Sequence, residues 1–119
     1  MEVLLIDDNT EITEMISFFL DTQNILCEVE NDGKRGLEKI KEKRFNVILL
    51  DLTMPVFSGY DLFNELKREN ALRKNNIVIF TASNIEQEKI DKMMEEGIKA
   101  IIRKPISIDS IIETINKFR

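Results

Sequence analysis

Five polar residues of reactive types each follow a short apolar run of this 119-residue chain. They are Asp7, Asp8, Asp51, Thr81 and Lys104. Three carboxylates that meet in one crevice repel one another, because two unit charges about 4 Å apart interact at roughly 4 kcal/mol for an effective dielectric of 20. The chain has no His, so its ligands for a balancing cation are oxygens, which favours a hard ion. We therefore expect Mg²⁺ at this group, with Mn²⁺ as a tolerated substitute.

The same residues supply the parts that phosphoryl transfer requires, namely a nucleophile, a metal on the transferred oxygens and donors for the remaining charge. One of the aspartates can act as the nucleophile and form an aspartyl phosphate. Lys104 can pair with one phosphoryl oxygen, and the Thr81 hydroxyl can donate to another. The chain contains neither a G-x-x-x-x-G-K-[ST] loop nor a G-x-G-x-x-G turn, so neither common nucleotide-binding loop is present.

The apolar runs that precede these residues are short and rich in β-branched side chains, which predicts strands. They cover residues 3–6, 25–29, 47–50, 77–80 and 100–102. Between them lie segments with helical spacing, the clearest being Ile12, Met15, Ile16, Phe19 and Leu20. Strand and helix therefore alternate five times, and the length excludes an eight-unit barrel. We expect an α/β fold with an open, doubly wound parallel sheet, in which ligands bind beyond the carboxyl ends of the strands.

Composition limits the classes of function. With 43% hydrophobic and 33% charged residues, residues 1–119 are expected to fold as one domain. The net charge of −5 provides no cationic field for a phosphate backbone, so direct nucleic-acid binding is not expected. No apolar run approaches the ~20 residues that span a bilayer, and no signal peptide is recognisable. The single Cys27 cannot form an internal disulfide, and the cytoplasm is the expected compartment.

In their order and spacing, these residues resemble the response-regulator receiver domains of two-component signalling, the CheY-like group, over essentially the whole chain. The matching motifs are Asp7-Asp8, Asp51 followed by Leu-Thr-Met-Pro and then Gly59, Thr81-Ala82 and Lys104-Pro105. The resemblance implies a flavodoxin-like strand order of 2-1-3-4-5. It also suggests a cis peptide bond between Lys104 and Pro105.

The resemblance further implies a role for each site residue. Asp51 would be the phosphoacceptor, and Thr81 and Lys104 would contact the phosphoryl group. The Mg²⁺ ligands would be Asp7, Asp8, Asp51 and the backbone carbonyl of Thr53. The donor would be a phosphohistidine on a histidine kinase or a phosphotransfer protein. The chain would catalyse its own slow dephosphorylation and signal to an unknown downstream protein, as a monomer or as a phosphorylation-dependent dimer.

One position departs from the pattern of the family. Receivers usually carry Tyr or Phe three residues before the Lys, and this chain has Ile101 there. An aromatic rotation is therefore unavailable as the output switch. Signalling would use backbone shifts of the loops after the third and fourth strands, or the domain would mainly relay phosphate.

Three alternatives stay open at this stage. The chain is a fragment of a larger response regulator from which a DNA-binding or kinase domain was removed, an aspartate-based phosphohydrolase, or a phosphate-independent interaction module of the same fold. A phosphohydrolase is expected to carry a second acid two residues after the nucleophile, where this chain has Thr53. Metal binding would separate the interaction module from the other two.

Two apolar features outside the motifs also require an assignment. Met93 and Met94 continue the spacing that begins at Ile90, so we expect both in the core. Phe18 lies off the main stripe of the first helix. It belongs either to the rim of the core or to a surface that receives the helices of a phosphotransfer partner.

Overall fold

Strands and helices alternate along the chain in the computed structural model, which describes residues 1–82 and 84–119. The elements are β1 (Glu2–Ile6), α1 (Thr10–Thr22), β2 (Leu26–Glu30), α2 (Gly33–Glu42), β3 (Val47–Asp51), α3 (Gly59–Arg68), β4 (Ile77–Thr81), α4 (Gln87–Glu96), β5 (Ala100–Arg103) and α5 (Ile108–Asn116). Every predicted strand is present, within about one or two residues of its expected ends. No helix in the described part of the chain combines the length and the apolar character needed to cross a membrane.

The sheet is parallel throughout and has the order β2-β1-β3-β4-β5, which confirms the expected topology. Alternate strand residues enter two separate apolar cores. Leu4 and Ile48 pack in the core covered by α2, α3 and α4, whereas Leu5 and Leu49 pack in the core covered by α1 and α5. Strands β3 and β4 are buried along their whole length, which explains why their sequences are apolar up to the last residue.

Local polar contacts fix where several helices begin and end. Asn9 accepts a hydrogen bond from the backbone N–H of Ile12 and starts α1. A capping box starts α3, since Ser58 and Asp61 each accept a hydrogen bond from the other's backbone N–H. Gly97 follows α4 with φ of 133°, a conformation that favours glycine and ends that helix. These contacts hold the loops at both ends of the sheet in position.

Two methionines that belong to the helical apolar spacing of the sequence are exposed. Met15 is 51% exposed, because α1 turns Thr13, Ile16 and Leu20 toward the sheet and 3.6 residues per turn place Met15 on the opposite side. Met94 is 41% exposed, since α4 buries Ile90 and Met93 but only a narrow stripe of its surface contacts the sheet. The expectation of a fully buried methionine pair was therefore wrong for Met94.

Candidate functional site

The carboxyl ends of adjacent strands bring the predicted site residues together. Asp51 and Thr81 are the last residues of β3 and β4, and Asp7 directly follows β1. Lys104 directly follows β5, and its backbone N–H donates to the Thr81 carbonyl at 2.8 Å. The Lys104-Pro105 bond is cis, as expected. The residues therefore meet at one edge of the sheet, where the sequence predicted a crevice.

Asp7, Asp8 and Asp51 form an acidic cluster whose carboxylate oxygens lie within 4.8 Å of one another. Asp7 and Asp51 are buried, while Asp8 is exposed. Asp7 Oδ1 accepts a hydrogen bond from the Asn9 backbone N–H at 2.9 Å. Its other oxygen, Oδ2, is buried and has no hydrogen-bond partner among the described residues. A buried polar atom without a partner is costly, so this oxygen fits a ligand that comes from outside the chain.

The electrostatics of Asp7 support the same conclusion. Burial raises its pKa to about 6, and the negative charges of Asp51 and Asp8 also raise it. The Asn9 backbone N–H and the Lys104 ammonium lower the pKa but do not offset burial. The chain alone thus undercompensates the charge of the cluster. A hard divalent cation would supply the missing positive charge, and an all-carboxylate donor set suits Mg²⁺.

Asp51 is held from two sides. Its side chain is 4% exposed, and Oδ1 accepts hydrogen bonds from Lys104 Nζ at 3.2 Å and from the Thr53 backbone N–H at 3.3 Å. Both hydrogen bonds end on Oδ1, and none from the described residues reaches Oδ2. A carboxylate with one anchored oxygen and one available oxygen is suited to nucleophilic attack.

Thr81 and Thr53 differ in exposure. Thr81 is 4% exposed, and its hydroxyl makes no hydrogen bond to the described residues, so it can donate to an incoming group. Thr53 is exposed and lies two residues beyond Asp51. The chain turns after Asp51, and this turn brings the Thr53 backbone N–H to the Asp51 carboxylate. From the described residues, the site therefore offers the Lys104 ammonium and the Thr81 hydroxyl beside the acidic cluster.

Residues 3–116, almost the whole chain, match the sequence pattern of the response regulator receiver domain family. The chain therefore belongs to the receiver-domain family. Two-component response regulators carry domains of this kind. Response regulator ArlR of Staphylococcus epidermidis is 26% identical over 95% of the receiver, and the receiver spans 50% of ArlR. The match thus covers about half the length of that relative.

Two solved structures share the fold of this chain. The receiver domain of the Francisella response regulator 1452 superposes with a TM-score of 0.87 at 28% identity, over 98% of this receiver and 94% of that chain. The chemotaxis protein CheY4 of Vibrio cholerae superposes with a TM-score of 0.84 at 24% identity, over 99% of this receiver and 98% of that chain. At that identity the second likeness concerns the fold alone.

The loop that follows β3 explains one glycine of the receiver motif. A Cβ atom on Gly59 would lie 2.2 Å from the Asp51 carbonyl oxygen and 2.6 Å from Leu52 Cα. Only glycine permits this close approach between the start of α3 and the end of β3. In the same loop Val56 has φ of 66° and a fully exposed side chain, a strained conformation for a β-branched residue. The loop is thus tightly folded around Asp51.

Ile101, in place of an aromatic residue, is half-buried in β5 of the receiver. It borders a groove of about 460 Å³ between α4 and α5, which Ile90 and Thr114 also line. A side chain larger than isoleucine therefore has room at this position.

The sequence argument missed Asn31, the residue that directly follows β2. Its Nδ2 donates to the Asp7 carbonyl at 2.8 Å and to Thr13 Oγ1 at 3.1 Å, and so ties the loop after β1 to α1. Its position in the sequence could have revealed it, because a polar residue that directly follows a parallel strand lies at the same edge of the sheet as the other site residues. Asn9 both caps α1 and donates its backbone N–H to the Asp7 carboxylate.

Proposed function

We propose that this receiver accepts a phosphoryl group on Asp51 in a Mg²⁺-dependent step and that this modification is its signal. The observation that carries the proposal is the buried Asp51 carboxylate at the end of β3. Its Oδ1 is held by Lys104 and Thr53, while Oδ2 accepts no hydrogen bond from the described residues. Membership of the receiver-domain family supports the same assignment.

In the proposed step, Asp51 Oδ2 attacks the phosphorus of a phosphohistidine. The new P–O bond forms as the P–N bond breaks, and the imidazole nitrogen leaves with the electron pair and takes a proton from solvent. Lys104 Nζ would neutralise one of the transferred oxygens, and the Thr81 hydroxyl would donate a hydrogen bond to another. Asp7, Asp8, Asp51 and the Thr53 carbonyl would hold Mg²⁺, which supplies charge neutralisation when bound.

The donor His lies outside residues 1–119, because this chain contains no His. Receiver domains of response regulators interact with histidine kinases or phosphotransfer proteins, and we assign such a partner to this receiver. On α1, Phe18 is 72% exposed and Met15 is 51% exposed. We propose that this apolar pair contacts the helices of the donor, since exposed aromatic side chains favour interfaces.

The proposed output also follows from the site. Because Ile101 replaces the usual aromatic residue, we propose that phosphorylation is communicated to an unknown downstream protein through the loops that follow β3 and β4. A phosphohydrolase is less well supported, since Thr53 stands where that mechanism needs a second acid. A phosphate-independent module is less well supported because every acceptor-site residue is present.

The test is the intact mass of the receiver after incubation with a small acyl-phosphate donor, with and without Mg²⁺. We expect one phosphoryl increment that requires Mg²⁺ and is absent in Asp51→Asn. The matched control is Asp21→Asn, which makes the same chemical change at an exposed carboxylate at the far end of α1. An increment that persists in Asp51→Asn would assign the acceptor to another residue and contradict the proposal.

A further inference from the structure

A second groove, separate from the phosphoacceptor site, runs between α3 and α4. Its volume is about 300 Å³. The side chains that determine its character are Tyr60, Phe63 and Lys67 from α3 and Lys89, Lys92 and Met93 from α4. Residues three or four apart lie on one face of a helix, so each helix presents a continuous stripe to the groove.

Charge is segregated around α4. Lys89 and Lys92 border the groove, and Glu88, Asp91 and Glu95 do not. Both lysines are exposed, and neither forms an ion pair with the described residues. Their ammonium groups therefore stay available to an anionic partner, in a chain whose net charge is −5. The groove is thus locally cationic, although the chain as a whole is acidic.

Across the groove, Lys67 of α3 forms an ion pair with Glu96 of α4. Among the described residues that line the groove, Glu96 is the one acidic side chain, and Lys67 already pairs with it. The positive charge of Lys89 and Lys92 is thus not neutralised within the groove. It remains as excess charge near the Tyr60 end.

The bottom of the groove is apolar. Phe63 and Met93 are buried beneath it, and Tyr60 is 39% exposed at its side. A partly exposed tyrosine above an apolar floor can cover an aliphatic or aromatic side chain of a partner. Cationic groups beside an apolar floor complement an acidic segment that carries one large apolar residue.

We propose that the α3–α4 groove binds an acidic segment of a partner protein. One apolar side chain of the segment would lie against Tyr60 and Met93, and its carboxylates would face Lys89 and Lys92. A nucleic acid or an anionic membrane fits less well, because both would meet the repulsion of the net negative chain around a narrow, concave site. The proposal does not depend on phosphorylation of Asp51.

The test uses a fluorescein-labelled, 12-residue synthetic peptide in which Asp and Glu flank a central Leu-Phe pair, added to the unphosphorylated receiver. Binding is followed by fluorescence anisotropy, and contacts are mapped from amide shifts of the ¹⁵N-labelled receiver. We expect the shifts to concentrate on α3 and α4. Lys89→Glu/Lys92→Glu should weaken binding of the peptide at least about tenfold, because the two new carboxylates repel the carboxylates of the peptide.

The matched control is Lys74→Glu/Lys117→Glu, which makes the same change of net charge at exposed lysines outside the groove. This control should bind within about twofold of the wild type, since charges beyond a Debye length are screened at 0.15 M salt. Equal weakening in both double variants would overturn the proposal, as would shifts centred on α5 or no anisotropy change. Tighter binding of a DNA oligonucleotide or of phosphatidylserine vesicles would overturn it as well.

A hydrophobic control separates the two parts of the groove. Tyr60→Ala should weaken peptide binding severalfold, whereas Tyr60→Phe, which keeps the ring, should bind nearly as the wild type does. Equal loss in both variants would contradict the packing role assigned to the ring. The acyl-phosphate mass assay on Lys89→Glu/Lys92→Glu should still give one increment, so failure of the groove and failure of the acceptor site are distinguishable.

Discussion

Two groups of acidic side chains in the receiver differ in how far the chain itself neutralises them. One group lies at the edge formed by β2 and α2, and we call it the β2–α2 patch; it contains Glu2, Glu28, Glu30, Lys39 and Lys43. Glu28 there contacts Lys39 at 2.9 Å and Lys43 at 2.7 Å. Hydrogen bonds from Lys43 and Lys39 hold the pKa of Glu28 below its ordinary value.

The acidic cluster at the carboxyl edge has the opposite balance. Its three carboxylates have one ion-pair partner among the described residues, Lys104. Burial raises the pKa of Asp7 to about 6, whereas the pKa of Glu28 in the patch is lowered. Each glutamate of the patch thus has a lysine partner. Within the described part of the chain, only Asp51 of the cluster has one, so negative charge remains there for an external cation. Incomplete compensation, more than the number of acids, marks the functional site.

The largest expected effect is on phosphorylation, when one lysine is removed from each region. Lys104→Met should slow phosphorylation by the acyl-phosphate donor at least about 100-fold, because a preorganised charge on the transferred oxygens is lost. Lys43→Met, which removes the partner of Glu2 and Glu28, should leave the rate within about twofold. Rates follow from intact mass against time. A fall of less than tenfold in Lys104→Met would contradict the assigned role.

The second expected effect is on stability, and its sign differs between the regions. In metal-free buffer at pH 7, Asp7→Asn should stabilise the fold by up to about 3 kcal/mol, because one pKa unit corresponds to 1.36 kcal/mol and the pKa rises from 3.8 to about 6. A raised carboxyl pKa means that the wild type loses stability as pH increases through about 6. The gap between variant and wild type should therefore open between pH 4 and 6.

The matched substitution in the patch is Glu28→Gln, which should destabilise by less than about 1 kcal/mol at pH 7 because the ion pairs are solvent-exposed. A lowered carboxyl pKa gives stability that is lost as pH falls, so this gap should close on acidification. Urea unfolding at several pH values measures both variants. Effects of the same sign would break the comparison between the two regions.

A third prediction concerns the cation itself. Protons compete with Mg²⁺ for Asp7, so the apparent Mg²⁺ affinity should fall about tenfold between pH 7 and pH 5. Isothermal titration calorimetry on the wild type measures the profile. Asp8→Asn should weaken binding overall and move the pH profile only slightly toward lower pH, since the titrating group is Asp7 and the charge of Asp8 is a small contribution to its raised pKa. A flat profile in the wild type would refute the assignment of Asp7 as the titrating ligand.

Much of this architecture was predictable because burial determines both sequence and structure. Strands β3 and β4 are covered on both faces, so their apolar runs indicated parallel strands. The order of the strands came from the family resemblance and not from these runs. Strand ends then located Asp51 and Thr81. Met94 was assigned wrongly, because spacing alone does not show how wide a stripe α4 buries.

The remaining features depend on distances between elements that sequence does not encode locally. The contact of Lys104 with Asp51 spans 53 positions, and the hydrogen bonds of Asn31 span 24 and 18. The raised pKa of Asp7 depends on packing around its carboxylate. The α3–α4 groove likewise exists only once both helices lie on the sheet. The chemical roles of the site residues stay predictions until they are measured.

The smallest expected effect concerns screening by salt. Salt should weaken the ion pairs of the β2–α2 patch and leave the buried charge of the acidic cluster unaffected. Lys39→Met removes an exposed ion pair of Glu28 and should destabilise the fold only slightly at 50 mM NaCl. At 1 M NaCl the Debye length shortens to about 3 Å, so this destabilisation should vanish. The stabilisation in Asp7→Asn should persist at 1 M NaCl, because it arises from burial of a charge that salt does not reach. If high salt removed both effects, the acidic cluster would be a solvated surface group like the patch, and its excess negative charge would no longer indicate a cation site.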